Sequence, residues 1–187
     1  MSESTSRILI AALAGLALAA AVVGFQLLHH GSTRLTPPAV LGSFVRLDDQ
    51  GVKSRLDELR HTLGSTGIHD AAVALYGPPG TSVTETQTGF VLIAGKASGG
   101  LDLQSEVRNS AVSLGPFSFN GGHFETADET VAGVTYTCST FTAPQGQATS
   151  CIWQGSSSIL FGMGANVTAA DTANLTSLAK AGMNING

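Results

Sequence analysis

The sequence predicts an α+β chain: an N-terminal transmembrane helix, then a mainly antiparallel sheet with helices packed on one face. Three observations carry that expectation. An unbroken apolar stretch opens the chain. Short apolar and β-branched runs, clustered with few crossovers, dominate the remainder. Segments with apolar residues at helical spacing stand before, between and after those runs.

The opening stretch runs from Ile8 to Phe25, 18 residues without a polar or charged side chain. Leu27 and Leu28 extend it past Gln26. As a helix, Ile8–Leu28 spans roughly 31 Å, close to a hydrocarbon core of ~30 Å. A soluble helix of that length would carry a polar stripe, and this one has none. The alternative is a signal peptide cleaved after Ala17-Leu18-Ala19 or Ala19-Ala20-Ala21. The apolar residues continuing through Leu28 favour an uncleaved anchor. Residues 1–7 are then a short cytoplasmic tail, 8–28 the anchor, 29–45 a Pro-containing linker and 46–187 an extracytoplasmic domain. Arg7 and Arg34 flank the anchor evenly, so charge marks its orientation weakly.

Within 29–45, Pro37-Pro38 favours an extended spacer. Val52, Leu56, Leu59 and Leu63 then mark one face of a helix, with Asp48 or Asp49 as its cap and Gly64 as its end. Ala71–Tyr76 and Gly89–Ala94 read as buried strands. Leu103, Val107, Ala111 and Leu114 give a weaker helical face over 102–112. Phe117, Phe119, a Gly121-Gly122 turn and a strand over His123–Thr126 follow, then a solvated loop before Val131. Ile159–Gly164 is another strand. A last helix over Thr168–Ala181 is capped by Thr168 and Asp171, with Leu175, Leu178 and Ala179 inward.

The clearest β signal is Val131–Thr142 and Gln147–Gln154 around the turn Ala143-Pro144-Gln145-Gly146. Centring the hairpin between Pro144 and Gln145 sets Cys138 opposite Cys151, Tyr136 opposite Trp153 and Thr140 opposite Thr149. All lie on one face of the ribbon. A glycine bulge at Gly146 would instead put the cysteines on opposite faces. Cys138 and Cys151 are the chain's 2 cysteines, which fits one disulfide in an oxidising compartment. The alternative is a pair of buried thiols in a reducing one.

Composition narrows the functional classes. The 187 residues fit about one domain, with 9 Lys+Arg against 13 Asp+Glu and a net charge of −4. Mild acidity argues against nucleic-acid binding, which needs a basic patch. Tyr76-Gly77-Pro78-Pro79-Gly80-Thr81 resembles the start of a phosphate-binding loop, but Ser82 and Val83 stand where Gly and Lys belong. It reads as a turn. Gly162-Met163-Gly164 offers two of the three glycines of a dinucleotide fingerprint, and Val167 replaces the third. No nucleotide or other cofactor is expected. Ser156-Ser157-Ser158 reads as a turn, not a nucleophile elbow. Asn166 and Asn174 match the glycosylation pattern by chance in a Thr-rich chain. His123, Glu125, Asp128 and Glu129 form the densest polar-acidic cluster, the weak candidates for a Zn²⁺ or Ca²⁺ site.

Behind the Ala-rich anchor stand Leu35-Thr36-Pro37-Pro38-Ala39-Val40-Leu41-Gly42, Val73-Ala74-Leu75-Tyr76-Gly77 and Cys138…Cys151-Ile152-Trp153. This layout resembles uncharacterised membrane-anchored extracytoplasmic proteins of actinobacteria. The resemblance implies an envelope location and no known activity, and it transfers no catalytic or binding residue. The expectation is therefore a tethered, non-catalytic binding or interaction module of the cell envelope. It would meet the lipid bilayer through residues 8–28 and an envelope protein or ligand through its domain. The alternative is a small secreted hydrolase or metal-dependent enzyme using the His123–Glu129 cluster. A third role is pairing with another membrane protein through the anchor, where Gly15 permits close approach.

Overall fold

A computed structural model describes residues 35–48, 50–65, 68–81, 88–97, 123–143 and 146–185. The expected tail and anchor at 1–28, the helix over 102–112, Phe117, Phe119 and the Gly121-Gly122 turn lie outside the described residues. Among the described residues no helix is long and apolar enough to cross a membrane.

The described elements are β1 (Val40–Leu41), β2 (Phe44–Arg46), α1 (Gln50–Ser65), β3 (Ile68–Gly77) and β4 (Gly89–Ala97), then β5 (His123–Val131), β6 (Val134–Ala143), β7 (Gly146–Gln154), β8 (Ser158–Ala165) and α2 (Ala169–Gly182). They form an 8-stranded sheet in the order β1-β2-β3-β4-β8-β7-β6-β5. Every neighbouring pair is antiparallel. After β4 the chain moves to the far margin and meanders back until β8 closes against β4. The expected α+β class with a mainly antiparallel sheet is what forms.

The expectation of helices on one face is corrected: α1 and α2 cover opposite faces. Ala74, Tyr76, Phe90, Leu92, Leu160, Cys138, Cys151 and Trp153 pack beneath α2 residues Ala173, Leu175 and Ala179. Val73, Leu75, Val91, Ile93 and Ile159 pack beneath α1 residues Val52 and Leu63. The reason lies in β3 and β4, which are apolar at consecutive positions. Side chains alternate between faces, so such strands need cover on both. Leu56 and Leu59 complete the α1 face as expected.

Helix α2 sits unusually close to β8. A Cβ on Gly162 would collide with Thr176 Oγ1 and with Phe90, and one on Gly164 would lie 2.6 Å from Val167 Cβ. The two glycines of the partial fingerprint are thus contact points for a helix, inside a strand. Thr168 caps α2: its hydroxyl accepts from Asp171 N–H at 3.1 Å and donates to Asp171 Oδ2 at 2.7 Å. Leu178, expected inward, is 49% exposed, and Thr172 and Thr176 take buried positions instead. Small hydroxyl side chains fit where the sheet comes that near.

The fold begins before residue 46. Leu35 packs against the core, Arg46 donates to the Pro37 carbonyl at 2.8 Å, and Tyr76 Oη donates to the Pro38 carbonyl at 2.9 Å. Residues 35–45 of the expected linker are therefore part of the domain. Asp48, one of two expected α1 caps, holds the Arg46 guanidinium at 3.1 Å; Asp49 lies outside the described residues.

Candidate functional surface

The β6–β7 hairpin has the register expected for a turn centred between Pro144 and Gln145. Cys138 faces Cys151 and Thr140 faces Thr149. Cys138 and Cys151 are joined as a disulfide, with Cα atoms 4.1 Å apart. That short spacing belongs to a non-hydrogen-bonded antiparallel pair, typically ~4.5 Å. Both cysteines are buried under α2. Tyr136 and Trp153 share that core, and Lys180 Nζ lies 4.3 Å from the centre of the Trp153 ring. Thr140 and Thr149 share a hydrogen bond at 3.2 Å, as do Thr126 and Ser139.

Beyond β6 lies β5, and here the expectation of a solvated loop is corrected. His123 to Val131 is one continuous strand paired with β6. It turns into β6 through Ala132 (φ 51°) and Gly133 (φ 76°). Two successive positive φ values make the primed turn that suits a two-residue hairpin. The low β propensity of Glu125, Ala127, Asp128 and Glu129 hid the strand.

The strand disperses the candidate metal ligands. Glu125 and Glu129 lie on the α2 side of the ribbon and Asp128 on the other, because neighbours alternate. Four residues of strand place Glu125 and Glu129 roughly 13 Å apart along the chain. Asp128 Oδ1 accepts a hydrogen bond from Thr137 Oγ1 at 3.1 Å. The side chain of His123 lies outside the described residues. Among the described residues no group of three His, Cys, Asp or Glu side chains converges as a metal site.

The same register sets the direction of the backbone groups. In a two-residue hairpin the closing pair, here Val131 and Val134, exchanges hydrogen bonds, and every second pair repeats this. Glu129, Ala127 and Glu125 then bond β6. Thr126, Asp128 and Thr130 point their N–H and C=O groups toward the outer edge. The disulfide agrees independently: Cys138 bonds Ala127 on one side and so stands in a non-bonded pair on the other. Among the described residues no strand pairs with that outer edge. Glu125, Thr126, Ala127, Asp128 and Thr130 are exposed.

The other sequence motifs fall into structural roles. Gly77 ends β3, and Pro78–Thr81 is a turn with Gly80 at φ 78° and Thr81 bonding the Pro78 carbonyl. Proline followed by glycine fits a type II turn. Ser156 and Ser157 form the bend between β7 and β8. Asn166 has φ 53°, and its Oδ1 accepts from Gln147 N–H at 3.0 Å. Asn174 is exposed on α2.

Two phenols are perturbed. Burial pushes Tyr76 up to about 12; the Arg46 charge opposes this and Asp48 adds to it. Burial also pushes Tyr136 up, with the Ser177 side chain pulling the other way. Tyr136 Oη and Thr172 Oγ1 are buried without a partner in hydrogen-bond geometry. Both lie in the packed layer between the sheet and α2.

The class these features define is an open antiparallel α+β sheet with helices on both faces and one internal cross-strand disulfide. No protein family, curated protein or solved structure matches the chain.

Proposed function

We propose that the chain is a membrane-tethered module whose domain stands in an oxidising, extracytoplasmic compartment and binds a partner without turning it over. The observation that carries this reading is the Cys138–Cys151 disulfide in the core, which joins both cysteines of the chain. Disulfides persist where thiols are not kept reduced. The apolar run Ile8–Phe25 supports the tether. Binding is supported over catalysis by the dispersal of Glu125, Asp128 and Glu129 along two faces of an edge strand, where they cannot act on one reacting atom.

Fractionation of cells carrying the full-length chain tests the placement. The chain should sediment with membranes, resist extraction by alkaline carbonate, and lose its domain to protease added outside the cytoplasmic membrane. Recovery in the cytosol, or a domain that protease reaches only after lysis of that membrane, overturns the reading.

A further inference from the structure

We infer that the β1 margin of the domain, with the outward side of α2 beside it, rests on the bilayer surface. The inference rests on the reading of the chain as membrane-tethered, and it names the lipid interface as the occupant of this face. Among the described residues the exposed large hydrophobic side chains are Val40, at 56% exposure, and Leu178, at 49%. Both belong to one corner of the fold. A Cβ on Gly42, just past Val40 and Leu41, would lie 3.4 Å from Leu175 Cδ2 and 3.9 Å from Leu178 Cδ1. A Cβ on Gly182 would lie 2.7 Å from Pro38 Cγ, so residues 38–42 run beside the C-terminal half of α2.

Charge separates this face from the opposite one. No Lys, Arg, Asp or Glu stands between Arg34 and Arg46, or between Asp171 and Lys180. Lys180 itself lies over the Trp153 ring. Past the first turn of α2 the exposed positions are Asn174, Leu178, Ala181 and Gly182. On α1 the exposed positions include Lys53, Arg55, Asp57 and Glu58. An interfacial face sets apolar side chains into the boundary between headgroups and acyl chains, where an unpaired charge is costly to desolvate. The outward side of α2 meets that requirement and the outward side of α1 does not.

The covalent path selects the bilayer as the occupant. The apolar run extends to Leu28, and Leu35 already packs against the core. The chain between them reaches at most about 25 Å, since each residue spans no more than ~3.6 Å. That is less than the roughly 34 Å width of eight strands spaced ~4.8 Å apart. The β1 margin is therefore the part of the sheet held nearest the apolar run, and β5 stands at the opposite margin. A tether this short gives a high effective concentration, so a contact too small to hold a free domain can form.

The test uses the full-length chain reconstituted in phosphatidylcholine vesicles. A fluorophore is attached to one added thiol per variant, Val40→Cys, Leu178→Cys or Arg55→Cys, without reductant so that the disulfide stays closed. Nitroxide-bearing lipids should quench the labels at 40 and 178 about threefold more than the label at 55, because an interfacial face lies within about 5–10 Å of the headgroup–acyl boundary. With the label moved to Ala181→Cys, Val40→Asp combined with Leu178→Asp should bring quenching down to the level at 55, and unchanged quenching there contradicts the assigned contact. Vesicle flotation is read on the same samples. Floating protein whose labels at 40 and 178 are quenched no more than the label at 55 overturns the inference and leaves the tether standing. A label at 178 shielded from both lipid-borne and water-soluble quenchers marks a protein partner on this face and also overturns it. Protein that does not float overturns the tether, and the inference with it.

Discussion

At the centre of the sheet, β3 and β4 bury apolar side chains on both faces, and Tyr76, Phe90, Leu92 and Ala94 have essentially no exposure. At the β5–β7 margin the strands are Thr- and Ser-rich, and their contacts are a disulfide, hydroxyl pairs and one acidic edge. Area removed from water holds the centre. Cross-strand pairs and a covalent tie hold the margin. The contrast separates a centre covered on both faces from a margin where Tyr136, Cys138, Cys151 and Trp153 are buried on the α2 side.

The largest expected effect lies at the centre. Leu92→Ala should cost about 2–5 kcal/mol in denaturant unfolding, the range for a fully buried leucine. A loss under ~1 kcal/mol would show that the centre relaxes as the margin does. Replacing Cys138 and Cys151 together by alanine should cost about 3 kcal/mol in the chain-entropy picture. Hydrogen exchange should then rise first in β6 and β7, leaving β3 and β4 protected. Uniform loss of protection would mean that centre and margin unfold as one unit.

Alkaline pH sharpens the comparison differently. Tyr76 has a folded-state pKa raised to about 12 from 10.0. The folded state therefore holds the proton more tightly. Its stabilising contribution is complete below the unfolded value and is lost as pH rises from about 10 to 12, on the order of 2 kcal/mol. Tyr136 shifts in the same direction and adds to the loss. Tyr76→Phe should make the alkaline slope shallower, and an unchanged slope would place the titrating group elsewhere. The smallest effect is expected at the α2 cap, where Thr168→Ala should cost about 1 kcal/mol by thermal melting.

Much of this architecture was legible in the residues. The apolar runs of β3 and β4, the Cys138–Cys151 register and the Thr168 cap each rest on local spacing or local hydrogen bonding. The features that were not legible depend on contacts distant in the chain. Residues 35–45 look like a spacer until Arg46 binds the Pro37 carbonyl and Tyr76 the Pro38 carbonyl. Thr172 and Thr176 lie inward because Gly162 and Gly164 let α2 approach. The acidic edge was obscured by poor strand formers in β5, although Ala132-Gly133 marked its turn. As a strand, residues 123–131 set Glu125 and Glu129 on one face and Asp128 on the other, so the cluster expected of a loop does not form.

Thiol labelling in living cells tests the compartment most directly. Cells are quenched in acid, denatured, and alkylated with and without prior reduction, and the intact chain is then weighed. The disulfide account predicts no alkyl groups before reduction and alkylation of both Cys138 and Cys151 after it. Full alkylation of both residues in the unreduced sample would contradict an oxidising location and the placement of the domain built on it.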